Sequence, residues 1–222
     1  MLRVLPWLPE THCIWMPLPQ PSAEAALDVL ESELIADVAP RRRAHFAAGR
    51  RCAHAVLAML GRDIDAVLRS VDGAPLWPTG VVGSIAHCPD AAVAIAADGR
   101  RWAALGIDVE TDRALADDAA HYVLTAEERQ RIADLPGGLA RWALPAFAAK
   151  ECVHKCVHPL SGAYLAFDEV AIRFECATEA EAITCFVVEP QSARARTALT
   201  GHQWFGELRR RDGVLFSLLA GR

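Results

Sequence analysis

The sequence predicts a mixed α/β fold, of the α+β kind, in which helices pack against small antiparallel sheets. Segments with helical periodicity and short apolar, β-branched segments follow each other twice along the 222 residues. An Asp-Gly dipeptide lies in each group of strands, at Asp98-Gly99 and Asp212-Gly213, and this dipeptide is typical of tight hairpins. We therefore expect two halves, residues 1–111 and 112–222, with no linker between them.

Four segments carry helical signals. Pro21 to Ala39 has an apolar stripe at helical spacing, and Pro40 opens a second helix that reaches about Gly61. Thr125 begins a capping box, Thr-Ala-Glu-Glu, for a helix to about Leu135. A longer helix is predicted from Leu139 to His158, with a break at Pro145.

Three apolar segments in the first half and four in the second have the length and composition of strands. The seven segments are Val81–Ala86, Ala91–Ala97, Trp102–Glu110, Tyr164–Phe174, Ile183–Val188, Trp204–Arg210 and Val214–Leu219. The Asp98-Gly99 turn predicts that the second and third segments pair as an antiparallel hairpin, and Asp212-Gly213 predicts the same for the last two.

The composition indicates a globular protein without a basic field. Apolar residues make up 53% and charged residues 23%, and the formal net charge is −5, which argues against a general nucleic-acid-binding surface. No apolar run approaches the ~18 residues of a membrane span, and the prolines near the start are unlike a secretory signal. Seven cysteines without framework spacing then indicate reduced thiols in a cytoplasmic protein.

Two carboxylates mark the end of the third strand, in Gly106-Ile-Asp-Val-Glu110. Asp108 and Glu110 are two apart, and side chains two apart on a strand point to the same face. Their mutual repulsion makes burial costly unless a cation lies between them. Oxygen ligands suit Mg²⁺, which usually completes its shell with water and substrate phosphate. A pair of solvated acids at a strand end is the alternative.

The second helix carries arginines around an aromatic residue. Arg42, Phe46 and Arg50 are spaced four apart and lie roughly on one helical face. Guanidinium groups are preferred for bidentate phosphate contacts, so this face is a candidate anion site. The alternative is that arginines 41–43 form a solvated basic run.

The segment Phe147-Ala-Ala-Lys150-Glu151-Cys-Val-His-Lys155 supplies further charged groups. Glu151 and Lys155 are four apart on one helical face, where the simplest interpretation is a surface ion pair worth about 0.3–0.5 kcal/mol. Lys150 and Lys155 are, however, the two lysines of an otherwise arginine-based chain. Their position on either side of a carboxylate favours a functional point charge.

The same segment contains four candidate zinc ligands, Cys152, His154, Cys156 and His158. On a helix the two cysteines share one face and the two histidines another, about 200° away. One tetrahedral ion cannot easily use ligands that diverge in this way. We therefore interpret the cysteines as buried apolar residues and reject the zinc site.

These segments together resemble the paired signature of the 4′-phosphopantetheinyl transferases of the Sfp type, and within them the enterobactin-synthetase (EntD-like) branch. The signature consists of Gly106-Ile-Asp-Val-Glu110 followed by Phe147-Ala-Ala-Lys-Glu151-x-x-x-Lys155. Three further segments match the branch, namely Arg42-x-x-x-Phe46-x-x-Gly49-Arg50, Asp72-Gly-x-Pro-x-Trp-Pro78 and Val82-Gly-Ser-Ile-Ala-His87-Cys.

The resemblance implies two similar α/β halves related by a pseudo-twofold axis, with coenzyme A in the cleft between them. It implies transfer of the 4′-phosphopantetheine arm of coenzyme A to a serine of an apo carrier protein, with release of adenosine 3′,5′-bisphosphate. The reaction would depend on Mg²⁺, for which Mn²⁺ can substitute. The partner would be an acidic peptidyl, aryl or acyl carrier domain, and the branch favours siderophore or other nonribosomal peptide or polyketide synthesis. A chain of this length contains both halves, so we expect a monomer.

The resemblance also implies roles for individual residues. Asp108, Glu110 and Glu151 would hold Mg²⁺ against the diphosphate, with Glu151 alternatively acting as the base. Asp108, Glu151 and Lys155 are thus the catalytic candidates, and Lys150 and Lys155 would face the phosphates. The residues expected to hold the adenosine and phosphate end of the coenzyme are Arg42, Arg50, Arg69, Ala86 and His87. Ala86 departs from the family, which commonly has Ser or Thr there, so a backbone contact would replace a hydroxyl contact.

Two alternatives from other classes stay open on the sequence. A non-catalytic coenzyme A or nucleotide-binding protein could use the same fold, although the intact Asp108, Glu110, Glu151 and Lys155 favour an enzyme. A structural metal module is the second alternative, and the helical phase of its candidate ligands disfavours it. Metal content separates them, because labile Mg²⁺ fits the enzyme and tightly held Zn²⁺ fits the module.

Overall fold

The fold is taken from a computed structural model, which describes residues 1–19, 27–62, 64, 66–175 and 183–222. Two antiparallel sheets with helices packed against them make up this part of the chain. The predicted mixed α/β fold is therefore confirmed. Within the described ranges, no helix is long and apolar enough to cross a membrane.

The first sheet contains four antiparallel strands in the order β1-β2-β4-β3. Its strands are β1 (Arg3–Val4), β2 (Thr11–Pro17), β3 (Val81–His87) and β4 (Ala91–Asp98). The helix α2 (Pro40–Met59) packs on one face, against Ala92, Ala94 and Ala96 of β4, which are fully buried. Small side chains on a strand let a helix approach closely, so the alanine-rich sequence of β4 explains this packing.

The helix α1 (Val29–Glu33) is much shorter than the predicted helix from Pro21 to Ala39. Residues 20–26 lie outside the described part of the chain, and with them the predicted start. The described helix instead begins at a second capping box, in which Asp28 accepts a hydrogen bond from the Leu30 backbone while Glu31 accepts one from the Asp28 backbone. This local cap places the start later than the apolar stripe indicates.

The second sheet contains five strands in the order β5-β9-β8-β7-β6. Its strands are β5 (Ala104–Thr111), β6 (Val170–Glu175), β7 (Ile183–Pro190), β8 (Trp204–Arg211) and β9 (Val214–Gly221). The long helix α5 (Gly138–Ser161) packs on one face of this sheet. The smaller helical elements around it are α3 (Asp117–Val123), α4 (Ala126–Ala133), a 3₁₀ turn (Phe167–Glu169) and α6 (Ala193–Leu199).

An apolar core lies between the two sheets and joins them. It contains Trp15 and Ile95 from the first sheet and Ile107, Val109 and Phe216 from the second. The rings of Trp15 and Phe216 meet edge to face, with 5.2 Å between their centroids, which is a favourable arrangement for two aromatic residues. The inner face of each sheet is thus buried against the other, which leaves the outer faces to α2 and α5.

The two Asp-Gly dipeptides have different outcomes. Asp212-Gly213 forms the predicted hairpin, in which Arg211 pairs with Val214 and both turn residues have positive φ, 52° and 78°, as a tight primed turn requires. The hairpin predicted at Asp98-Gly99 is wrong, because β4 pairs with β2 and β3 whereas β5 pairs with β9. The chain changes sheets after this turn, so burial between the sheets overrides the local turn signal.

The helix predicted to break at Pro145 is continuous. Pro145 is fully inside α5 and buried, so the tertiary packing of the helix overrides the local preference of proline for a break. The helices predicted from Pro40 and from the capping box at Thr125 are confirmed as α2 and α4.

The division into halves at residues 111 and 112 stays a prediction, as does the pseudo-twofold relation between them. Hydrogen bonding assigns β5, which precedes that division, to the second sheet, where it pairs with β9 along its whole length. The change from one sheet to the other thus occurs between β4 and β5.

Gly106 sets the distance between β5 and α5. A Cβ atom at this position would overlap the carbonyl oxygen of Cys152 and would lie 2.9 Å from the sulfur of Cys156. Backbone of the helix therefore occupies the space that a side chain would need. The contact lets α5 lie directly on the strand that carries Asp108 and Glu110.

We predict that Gly106→Ala lowers the free energy of unfolding by about 1–3 kcal/mol, because the added methyl group forces α5 away from β5. Urea denaturation followed by circular dichroism measures the change. Ala58→Ser, at an exposed position of α2, serves as the control and should change stability by less than about 0.5 kcal/mol. Equal stability of Gly106→Ala and the wild type would contradict the close-packing argument.

Candidate active site

The two carboxylates of β5 face α5, as strand alternation predicts. Ile107 and Val109 point into the core between the sheets, whereas Gly106 and Asp108 lie against α5. Glu110 follows on the same face by alternation and is half-buried. The strand therefore presents both acids to the helix that carries Glu151 and Lys155.

An ion pair joins the two elements. The ammonium group of Lys155 donates to Oδ1 of Asp108 at 2.5 Å and to the carbonyl oxygen of Ile107 at 3.0 Å. Burial raises the pKa of Asp108, and the charge of Lys155 limits that rise. Burial works against the charged form of Lys155, yet the charge of Asp108 raises its pKa. The other carboxylate oxygen of Asp108, Oδ2, is buried without a hydrogen-bond partner in the described part of the chain.

Negative charge accumulates beside this ion pair. Burial, and then the charge of Asp108, raise the pKa of Glu110 from 4.5 to about 7, while Lys155 lowers it and Glu151 raises it by smaller amounts. Burial also raises the pKa of Glu151, with Lys155 lowering it and Asp108 raising it. Three carboxyl groups thus share one lysine, which is the electrostatic situation that a further cation would relieve.

The donor set fits a hard divalent cation that brings other ligands with it. Among the residues that the structure describes, no three His, Cys, Asp or Glu side chains are close enough together to form a complete metal site. Mg²⁺ commonly uses only one or two protein carboxylates together with water and substrate phosphate. The unpartnered, buried Oδ2 of Asp108 and the raised pKa of Glu110 agree with that mode. The predicted set of Asp108, Glu110 and Glu151 stays a prediction.

Two of the predicted anion-binding arginines, Arg50 and Arg69, are within electrostatic range of each other. Arg50 is buried, with 5% of its surface exposed, and its guanidinium carbon lies 4.3 Å from the ring centroid of Phe46. Burial lowers the pKa of Arg50 to about 10, an effect that Glu31 opposes and the charge of Arg69 increases. Arg69 is exposed and pairs with Pro75 in an isolated bridge. Arg50 is also 4.0 Å from the carboxylate of the buried Glu31, and the predicted contact of Arg50 and Arg69 with an anion stays a prediction.

The end of β3 brings a second group of basic side chains together. His87 is acted on electrostatically by His45, Lys155 and Arg42. His87 is exposed at the end of β3, and partial desolvation by the neighbouring residues together with these positive charges lowers the pKa of His87 to about 4. Ala86 is 6% exposed and belongs to the apolar core between the sheets, so its predicted backbone contact with a ligand stays a prediction. Arg42 and Lys155, from two other elements, thus lie within electrostatic range of His87.

Lys150 does not join the site, which corrects its predicted contact with the coenzyme phosphates. Its ammonium group is fully buried and donates to Glu128 at 2.7 Å, and also to the carbonyl oxygens of Val123 and Phe167 at 2.9 and 2.7 Å. All three donor hydrogens of the lysine are therefore used in the core. Lys150 joins α5 to the segments around α3 and α4.

Sequence reasoning missed the partners of these basic groups. Glu31 is fully buried and accepts hydrogen bonds from the Val67 backbone and from His54, both at 2.8 Å. Glu128 also accepts one from the Ile172 backbone at 2.7 Å. Both glutamates occupy the last position of a capping box. That position was visible in the sequence, but a capping box alone does not reveal that its glutamate is buried.

The candidate zinc ligands have other roles. The thiols of Cys152 and Cys156 are buried and donate to the carbonyl oxygens of Ser217 and Leu219, at 3.2 Å each, which confirms their interpretation as buried residues. His154 and His158 stack against each other at 5.7 Å between ring centroids. The two pairs use different faces of α5, as the helical phase indicates.

A cleft of about 730 Å³ lies beside the charged groups. Its walls are the loop of residues 70–77, the strand β3, and the end of α5, including Lys155. Two of its lining residues are in contact, since Nε2 of His158 lies 3.2 Å from a carboxylate oxygen of Asp72. The cleft is large enough for much of a nucleotide-sized ligand, and Lys155 connects it to the carboxylates of β5.

Comparison with known proteins agrees with this geometry. The family model described as the 4′-phosphopantetheinyl transferase N-terminal domain matches residues 30–97, and that of the 4′-phosphopantetheinyl transferase superfamily matches residues 104–204. The two matches meet between β4 and β5, where the chain changes sheets, and together they span most of the chain.

Curated relatives show the same similarity. The chain is 41% identical to the 4′-phosphopantetheinyl transferase Svp of Streptomyces mobaraensis over 147 residues, which cover 64% of this chain and 58% of the relative. It is 37% identical to the 4′-phosphopantetheinyl transferase Npt of Nocardia iowensis over 145 residues, 65% of each chain. It is 35% identical to enterobactin synthase component D of Salmonella typhi over 124 residues, 52% of this chain and 48% of the relative. In each case the chain spans less than two thirds of the relative's length.

We predict that Lys150→Met lowers the free energy of unfolding by about 3–5 kcal/mol, because it leaves the carboxylate of Glu128 buried without its cation. Urea denaturation measures the loss. The double variant Lys150→Met/Glu128→Gln should recover part of it, since no charge is then left unpaired. Gln130→Met, on the exposed side of α4, is the control. If the Lys150→Met protein has normal stability but binds coenzyme A weakly, this result would contradict the buried role of Lys150 and support its contact with the coenzyme phosphates.

We predict a pH-dependent effect of Glu110→Gln in the presence of a chelator. The native pKa of about 7 exceeds the ordinary value of 4.5, so wild-type Glu110 stabilises the fold below pH 4.5 and loses that contribution as the pH rises through 7. Relative to the wild type, the variant should therefore be more stable by about 1–3 kcal/mol near pH 8, and the difference should shrink towards pH 5. Urea denaturation at both pH values measures it, with Glu127→Gln as the exposed control. A difference that does not change with pH would contradict the crowding of the carboxyl groups.

Proposed function

Because the chain belongs to the 4′-phosphopantetheinyl transferase superfamily, we propose that it transfers the 4′-phosphopantetheine arm of coenzyme A to a serine of an apo carrier protein. The observation that carries the proposal is the contact between β5 and α5. It joins Asp108 to Lys155, which also lines a large cleft, and it places Glu110 and Glu151 within electrostatic range of both residues. Such a group of charges is the inventory that phosphoryl transfer requires, since that reaction depends mainly on positioning and charge neutralisation.

The proposed reaction is a displacement at the phosphorus atom that carries the pantetheine arm. The serine hydroxyl of the carrier attacks this atom, and the bond to the bridging oxygen of the diphosphate breaks. Adenosine 3′,5′-bisphosphate leaves with the electron pair of that bond. The serine proton passes to a base, for which Glu151 is our candidate because burial and the charge of Asp108 raise the pKa of its carboxyl group.

Asp108 and Glu110 would hold Mg²⁺, or Mn²⁺ in its place, with Glu151 as a third ligand if another group accepts the proton. When bound, the cation would neutralise the charge that develops on the diphosphate oxygens. The chain itself contributes the orientation of the carboxylates. Lys155 fixes Asp108 through Oδ1, which leaves Oδ2 free of protein partners in the described part of the chain.

The basic side chains would bind the rest of the coenzyme. Lys155 lies between the cleft and the carboxylates, a position suited to the diphosphate. Arg42 and Lys155 both act electrostatically on His87, and Arg69 acts on Arg50. Guanidinium groups suit phosphate oxygens, so these residues would hold the adenosine and phosphate end, together with the backbone of Ala86.

The partner and the setting follow from the same family membership. The acceptor would be an acidic peptidyl, aryl or acyl carrier domain, and arginines 41–43 at the start of α2 offer a basic surface for docking. The similarity to enterobactin synthase component D supports a role in siderophore or related nonribosomal peptide synthesis. We propose a cytoplasmic monomer whose two halves, residues 1–111 and 112–222, enclose the coenzyme.

Transfer is tested by intact-protein mass spectrometry of an apo peptidyl carrier domain incubated with the protein, coenzyme A and Mg²⁺. The carrier should gain the mass of one phosphopantetheine arm, and a chelator should prevent the gain. We predict that Asp108→Asn and Glu151→Gln each lower kcat/KM by at least about 10²–10³-fold, because each removes a charge needed in the transition state. Glu127→Gln is the control and should retain full activity.

Two results would contradict the proposal. Near-wild-type transfer by Asp108→Asn or Glu151→Gln would refute the assigned roles. No transfer to peptidyl, aryl or acyl carrier domains, with coenzyme A still bound, would instead favour a non-catalytic coenzyme A-binding protein on the same fold.

A further inference from the structure

A histidine that none of the sequence signatures selects lies within the basic group at the end of β3. His45 is three residues after Arg42 on α2, so the two lie on neighbouring positions of one helical face. The ring centroid of His45 is 5.3 Å from that of His87, with 55° between the ring planes. Two imidazole rings from different elements therefore lie side by side, with Arg42 and Lys155 acting on His87 as well.

The start of α2 adds to this positive potential. Its first turn carries no acidic residue, and Ala39 at the N-cap makes no side-chain hydrogen bond to the helix. The N-terminus of a helix carries partial positive charge and favours anions, yet this one is followed by arginines 41–43. This charge arrangement is unfavourable for the free helix and favourable once an anion is bound.

The charged groups with the largest effects on the two imidazoles are all basic. They are Arg41 for His45, and His45, Lys155 and Arg42 for His87. Burial and Arg41 lower the pKa of His45, and the pKa of His87 is lowered to about 4. Both rings are therefore neutral in the free protein near pH 7. A phosphate dianion beside them would reverse this balance and favour their protonated forms.

We propose that His45, paired with His87, is a specificity-determining residue that binds the phosphate monoester of coenzyme A, and that the imidazole pair takes up a proton from solvent as this phosphate binds. The inference rests on the proposed function and deepens it. The diphosphate is expected at Lys155 and Asp108, so the imidazole pair on the α2 side of Lys155 is left for the ribose phosphate. A protonated imidazole donates charge-assisted hydrogen bonds, and the neutral pair would bind the phosphate less tightly.

Isothermal titration calorimetry tests the proposal with two probes, coenzyme A and 3′-dephospho-coenzyme A, which lacks the phosphate monoester. His45→Gln should raise the dissociation constant for coenzyme A about tenfold, which corresponds to one charge-assisted hydrogen bond, and should leave that for 3′-dephospho-coenzyme A unchanged. His121→Gln, on the exposed side of α3, is the matched control and should change neither constant.

Titrations in buffers of different ionisation enthalpy count the protons exchanged. Wild-type protein should take up a proton when it binds coenzyme A, and its affinity should fall as the pH rises from about 6.5 to about 8.5. His45→Gln should take up fewer protons. His45→Lys, which keeps a permanent positive charge, should retain the preference for the 3′-phosphate while also taking up fewer protons.

The outcomes separate this inference from the proposed function. Equal changes for both probes would show that His45 only supports the fold, and an unchanged preference for the 3′-phosphate in His45→Gln would likewise overturn the inference. Either result could accompany normal transfer to a carrier domain, which leaves the proposed function intact. Wild-type protein that binds neither probe would contradict the proposed function itself, and the inference with it.

Discussion

The close approach of β5 to α5 at Gly106 is the constraint on which the rest of the site depends. A side chain at this position would overlap the backbone of the helix, so only glycine lets Asp108 and Lys155 meet at 2.5 Å. The ion pair then compensates both groups for the water that they lose on burial. The regular period of the strand places Glu110 beside this ion pair, and that of the helix places Glu151 there. The geometry of one contact thus decides where the whole charged group forms.

The two lysines of α5 have different roles because they differ in burial. Lys150 and Lys155 are five residues apart and therefore about 140° apart around the helix. Lys150 faces a closed core in which Glu128 and two carbonyl oxygens use all its donors. The side chain of Lys155 is 24% exposed and lies on the wall of the cleft. Only the second lysine has both a partner that orients it and access to a ligand.

Features that depend on neighbouring residues in the chain, such as turns and helix caps, could be predicted from the sequence. Features that depend on burial between distant segments could not. The hairpin at Asp212-Gly213 and the helix after Thr125 follow from turn and cap chemistry, and the position of Asp108 and Glu110 on one face follows from the strand period. The hairpin at Asp98-Gly99 failed because the chain leaves one sheet for another, which no local signal reveals. The environment of Lys150 was missed for a similar reason, since its partner Glu128 comes from a distant segment. His45 was missed because a single histidine on a helix gives no signal until the fold places a second one beside it.

A crystal structure of the protein with coenzyme A and Mg²⁺ is the most direct test of the proposed site. We predict that the metal ion binds to the carboxylates of Asp108 and Glu110 and that the diphosphate lies between the ion and Lys155. We also predict that the 3′-phosphate lies beside Arg42 and the imidazole pair of His45 and His87. Coenzyme A bound away from the cleft, or a metal ion bound by other residues, would contradict the proposed site.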